Sequence, residues 1–267
     1  MDKIRQRYRY SIIILSQLIK TDFRLRYQGS ILGYFWSLLR PLLMFLILYI
    51  VFAKFLKIGD AVPHYPVYLL LGIVLWNYFT DITTGSIMSI FSRGDLIRKI
   101  NFPKYVIVLS GCVAAFINLL LNFVVIAVFM VISDVKLGLE AFLFIPLLLE
   151  LTALAVAFAF FLSAAFIRFR DISYIWEVLM QGAFYATPIL YPLSLVPEAA
   201  QKLLILNPVA QIIQDARQVI VTPQTITLGD LYVNKLVWLL PIALVIVISV
   251  LSVMYFRKRS KYFAEEV

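Results

Sequence analysis

The chain has 267 residues, of which 63% are hydrophobic and 15% charged, and its mean hydropathy is +0.93; this excludes one soluble core and requires a polytopic membrane protein. A formal charge of +9 would suggest nucleic acid in a soluble protein. Here Lys and Arg stand in short segments beside apolar runs, where they mark the cytoplasmic side of a membrane, so no nucleic-acid partner is expected.

No signal peptide is expected: the apolar patch Ile12 to Leu15 is broken by Ser16 and Gln17 with no small-residue cleavage site after it, so the mature chain should start at Met1. From about Arg9 to Gln28, Ile12, Leu15, Ile19 and Phe23 recur at helical spacing. Ser16, Gln17, Lys20, Thr21 and Arg24 fall largely opposite them, the pattern of an interfacial helix lying on the membrane. Gly29 tolerates left-handed backbone and Ser30 is a good N-cap, so this pair ends the helix and starts the next.

Only thirteen residues separate Arg40 from Lys54. That is short of the ~20 needed to cross a hydrocarbon core, so the first span must begin before Arg40, near Ile31 to Trp36, with Arg40 snorkelling or facing protein. Along it Phe45, Tyr49 and Phe52 recur at i, i+4 and i+7, a face that either offers rings to sugar C–H surfaces or packs against lipid and neighbouring helices. The second span runs from Tyr65 to about Phe91 and contains Asp81, and the third is the uncharged run Tyr105 to Ser133. The fourth runs from about Phe142 to Ile167 with Glu150 near its start. A fifth apolar segment extends from Tyr174 to about Pro197, but Gly182, Pro188 and Pro192 argue against one straight helix. Residues 186–234 therefore read as a broken or re-entrant element, tolerable at membrane depth only where protein or water satisfies its backbone. Leu236 to Phe256 is the last span. Of the 24 Lys and Arg, eighteen fall in alternate segments and six in the others, which predicts six spans with both termini cytoplasmic. The fold class is all-α, a single transmembrane unit over residues 1–267.

The chain carries no G-x-x-x-x-G-K-[ST] loop, no H-E-x-x-H, no nucleophile elbow and one cysteine, Cys112, inside an apolar run. Phosphate-loop ATP hydrolysis, nucleophilic and metal chemistry and an intramolecular disulfide are all unsupported, and the lone His64 in a loop reads as solvated. Asp81 and Glu150 are ionisable groups inside spans, where function is the first hypothesis and a capped interhelical contact the second. Asn118 and Asn122, four apart, read as packing contacts. In the connection Ser92 to Lys104, Arg93, Asp95, Arg98 and Lys99 are charged while Leu96, Ile97 and Ile100 are apolar, the composition of a short helix docking on a soluble partner.

Four segments carry a resemblance. KTDFRLRYQGSILGYFWSLLRP before and into the first span, IRKINFPKY, FRDI and LNPVAQIIQDAR together resemble the integral-membrane subunits of ABC-type polysaccharide exporters, which move lipid-linked O-antigen, rhamnose-containing or capsular polymers and wall teichoic acids. The resemblance implies a homodimer in a bacterial or archaeal cytoplasmic membrane, served by two copies of a cytoplasmic P-loop ATPase. ATP and Mg would then be bound by the partner, and this chain would hold no cofactor. Residues 1–30 would form the interfacial helix, and 92–104 the coupling helix with Arg93, Asp95, Leu96, Ile97, Arg98 and Lys99. Residues 186–234 would form an outer cap. Arg24 and Arg26 would meet either a polyprenyl diphosphate or anionic membrane lipid, and Tyr34, Trp36, Arg40, Phe45, Tyr49, Phe52 and Asp81 would begin the substrate path. The alternatives are a permease of the same architecture for a drug or simple lipid, a membrane glycosyltransferase, which would need a carboxylate or His cluster at one face, and an ion-coupled flippase, which would show repeated halves.

Overall fold

The computed structural model describes residues 10–21, 30, 32–100 and 102–266. Among them the protein is helical without strands, and five helices are long and apolar enough to cross a membrane: Trp36–Phe55, Tyr65–Ile87, Tyr105–Ile132, Leu139–Arg168 and Lys235–Arg259. Of the segment expected to lie on the membrane, Tyr10–Thr21 is described, and it is a helix, α1. Arg24, Arg26 and Gly29 lie outside the described residues, as does the side chain of Tyr34.

Ser30 does start the next element: its hydroxyl accepts the Gly33 N–H at 3.2 Å, leading into a turn at Gly33–Phe35 and then α2, Trp36–Tyr49. Pro41 sits inside α2 and has no N–H, which frees the Ser37 carbonyl one turn back. Asn122 of α5, Tyr105–Ile132, supplies the missing donor, its Nδ2 lying 3.4 Å from Ser37 O and 2.8 Å from Asn118 O. The span is completed by a π-helical turn, Ile50–Phe55. At its end Lys57 and His64 take left-handed backbone and fold the chain into α3, Tyr65–Ile87.

Helix α3 is the central post. In its most apolar stretch 78% of residues are buried, against 11–33% in the other four spans, and it contacts α2, α5, α6 (Phe144–Arg168), α7 (Ile172–Ala186) and α9 (Pro208–Ile220). The last span, α11, Lys235–Arg259, packs chiefly on α6.

The fifth apolar segment breaks where its prolines predict. Helix α7 is 15 residues long, about 22 Å at 1.5 Å per residue, and stops at Thr187, which Pro188 forces into extended backbone. Beyond it come the short helices α8, Glu198–Leu204, and α10, Leu228–Leu231, beside a small second core of Leu193, Ile205 and Leu228, while α9 between them packs into the main core against α3 and α6. On the solvent side of α8, Lys202 donates to Glu198 at 2.6 Å and holds that carboxyl below its usual range.

Helix α9 folds from local signals. Asn207 accepts the Val209 N–H at 3.0 Å and Pro208 fills the first helical position. Its Arg217 is wholly enclosed, and its guanidinium supplies what the broken backbone lacks: Nε donates to Tyr68 O at 3.0 Å, one Nη to Pro188 O at 2.5 Å and the other to Ile189 O at 2.6 Å. The charge also lies 3.6 Å over the Tyr68 ring. Tyr65 donates to Leu190 O at 2.7 Å, so the unwound residues 188–190 all have donors within the chain. A side chain at Gly72 would collide with the same guanidinium.

Candidate functional site

Two regions carry the polar groups that the bundle core does not need. The first is a cavity of about 280 Å³ between the first turns of α2 and the middle of α3 and α5. Helix α2 lines it with Trp36, Ser37, Arg40 and Pro41, α3 with Val74, Asn77, Tyr78, Thr80 and Asp81, and α5 with Ala115, Asn118, Leu119 and Asn122, while Ser30 stands at its edge. Three residues expected from sequence to begin a path, Trp36, Arg40 and Asp81, are thus brought together, with Trp36 and Arg40 exposed at the rim.

The two amides of α5 line this cavity, Asn122 as the interhelical contact expected of it. Asn122 spends its donor on Ser37 and Asn118 carbonyls, but Asn118 Oδ1 and Thr80 Oγ1 are buried without a hydrogen-bond partner. A carbonyl oxygen and a hydroxyl in that state cost free energy unless something in the cavity donates to them. Asn77 and Thr80 escaped notice in the sequence because one turn of α3 before Asp81 looks like ordinary span. The available signal was Pro41, which requires a donor for Ser37, with Asn118 and Asn122 one turn apart on a facing helix.

The aromatic face sits elsewhere on α2. Phe45 is buried, stacked on Tyr49 at 5.6 Å between ring centroids and edge-on to Phe129 at 5.2 Å. The rings continue from Tyr49 to Tyr65 at 6.5 Å and from Tyr65 to Tyr68 at 6.2 Å, ending under Arg217. Within one chain this column joins α2 to α3 with Tyr49 half-exposed, and Phe52, also half-exposed, follows in the π-helical turn.

The second region is the basic end of the bundle. The connection after α3 forms a turn, Phe91–Arg93, and a six-residue helix α4, Gly94–Lys99. Asp95, Arg98, Lys99 and Ile100 are exposed, whereas Ile97 is buried in the chain's own core and Leu96 half-buried. Of the three apolar residues expected as partner contacts, Ile97 is thus packed inside the chain, while Leu96 and Ile100 keep accessible surface. A helix this short anchors itself with its apolar residues and offers its charges. Arg93 turns inward, donating to Ser110 Oγ at 3.3 Å, and burial lowers its pKa from the ordinary value.

Two neighbours brace α4. Arg170 of the FRDI stretch lies 3.7 Å over the Phe91 ring and 5.0 Å over Phe166. The carboxy-terminal turn α12, Phe263–Glu266, folds back on α4 with Phe263 buried edge-on to Phe256 at 5.5 Å, held by an Arg259–Glu266 ion pair at 2.6 Å. Sequence periodicity gave no sign of this return, since Phe263 is a lone apolar anchor in a charged tail. Glu150 lies at the far end of α6, its Oε1 buried without a hydrogen-bond partner. No group of three or more metal-ligating side chains occurs among the described residues.

Comparison with known proteins gives three related results. The chain matches the family of ABC-2 type transporters over residues 14–221. It is 29% identical over 267 residues to an O-antigen export system permease protein RfbA of Klebsiella pneumoniae, covering 98% of both chains. A permease of the same name from Myxococcus xanthus is 31% identical over 216 residues, 78% of this chain and 80% of that one.

Proposed function

The chain belongs to the ABC-2 type transporter family, and on that premise we propose that it is the membrane subunit of an ATP-driven exporter of a polyprenyl-diphosphate-linked polysaccharide. The carrying observation is that relatives over nearly the whole chain are named O-antigen export permeases. The chain is a transporter subunit and not an enzyme. Hydrolysis belongs to a partner ATPase, since no phosphate loop occurs in the sequence.

The finer assignments extend this reading. Two copies of the chain pair around the path, a reading supported by the small size of the cavity within one copy, about 280 Å³, for a polymer. Each copy takes one ATPase on the outward charges of α4, with both termini and the basic end at the cytoplasmic face. Arg24 and Arg26 hold the diphosphate at that face, and residues 186–234 cover the outer end.

Affinity purification of the tagged chain from its native membrane tests the assembly. The expected result is co-elution of a P-loop ATPase at one copy per permease, with a permease pair per complex. Isolation of the chain without any such ATPase, from cells whose export is ATP-driven, would remove the reading.

A further inference from the structure

On the reading that the chain exports a lipid-linked polysaccharide, we propose that the cavity between α2, α3 and α5 holds the sugar ring nearest the lipid carrier, with Asn118 and Thr80 as the residues that read it. Its volume, about 280 Å³, is far larger than the ~30 Å³ that one bridging water occupies. Its chemistry then sorts the larger candidates.

A diphosphate is excluded from the interior by charge. Among the described residues the lining carries the guanidinium of Arg40 and the carboxylate of Asp81, so a dianion inside would meet a carboxylate in the cavity wall. An acyl or isoprenoid tail is excluded by polarity, because it would leave Asn118 Oδ1 and Thr80 Oγ1 buried and still unpaired. A neutral polyol satisfies both conditions. Its hydroxyls donate to Asn118 Oδ1, which can only accept, and exchange hydrogen bonds with Thr80 and Asn77. Its C–H faces rest on Val74, Ala115 and Leu119, and at the rim on the exposed Trp36 ring. Asn118 is only 6% exposed, so its carbonyl oxygen depends on what occupies the cavity. Arg40, exposed at the mouth, lies where the diphosphate attached to that first sugar would remain outside.

The test measures binding of two radiolabelled lipids to the full chain, with its partner ATPase, in nanodiscs: a polyprenyl diphosphate carrying one hexose and the same lipid without sugar. The wild-type protein should prefer the glycosylated lipid by roughly tenfold or more. Asn118→Leu and Thr80→Val should each remove most of that preference and leave bare-lipid binding unchanged. Thr80→Val keeps the side-chain volume and gives the same answer if the Asn118 variant does not fold. Equal binding of both lipids by the wild type, with no effect of either variant, overturns the sugar site while the export reading stands. Failure of the wild type to bind either lipid overturns the export reading with it.

Discussion

Replacing Arg217 with methionine is expected to remove the folded protein from the membrane almost completely. The guanidinium is the shared donor for the carbonyls of Tyr68, Pro188 and Ile189, and methionine fills the volume without donating. Tyr68 keeps its helical partner, but the carbonyls of Pro188 and Ile189 are left unpaired at about 1–3 kcal/mol each, about 2–6 kcal/mol together, much of a typical margin of stability. Lysine should recover little, since its compact ammonium cannot span three acceptors held in a planar fork. Gly72→Ala should act in the same direction from the other side, by driving a methyl into the guanidinium. Membrane abundance and the thermal unfolding midpoint in detergent check both variants. Wild-type values for Arg217→Met would show that the residues after α7 are held by something else.

The second large effect is expected at α4. Arg98 and Lys99 are exposed at the basic end, on a helix whose apolar residues turn inward and whose position is braced by Arg170 on Phe91 and by the buried Phe263. Reversing both charges, Arg98→Glu with Lys99→Glu, keeps the apolar anchoring by Ile97 and Phe263 and inverts the charge that a partner meets. Export should fall by roughly tenfold or more, with ATPase activity no longer stimulated by the permease and with normal membrane abundance, because like charges at a docking surface cost several kcal/mol. Lys136→Glu, beyond the opposite end of α5, should change neither quantity. Unaltered export by the double variant would move the ATPase contact away from α4.

What could be read from the sequence divides along physical lines. Long apolar runs between charges locate membrane-crossing helices because the hydrocarbon core sets a minimum length, and so Tyr105–Ile132 and Lys235–Arg259 differ from expectation only at their ends. The break after α7 was legible because Pro188 excludes helix at Thr187. Arg40 and Asp81 stand out in the sequence because charge inside a span is costly, yet their convergence with Asn77, Thr80 and Asn118 depends on how three helices pack. Periodicity along one helix carries no information on that. The same limit applies to Arg217: LNPVAQIIQDAR marks a capped helix, but its target carbonyls lie 28, 29 and 149 residues away. It also applies to Phe45, which the i, i+4 pattern places beside Tyr49 without revealing Phe129 opposite.

The central claim is that this chain, with a separate ATPase, moves a lipid-linked polysaccharide across the membrane. Purified permease and ATPase are reconstituted in liposomes with polysaccharide on its polyprenyl diphosphate loaded on the ATPase side, and appearance of the polymer on the opposite side is followed with a membrane-impermeant lectin. The account predicts lectin-accessible polymer that increases with ATP, ceases without it, and ceases when this chain is left out. Export of equal extent without ATP, or without this chain, would contradict it.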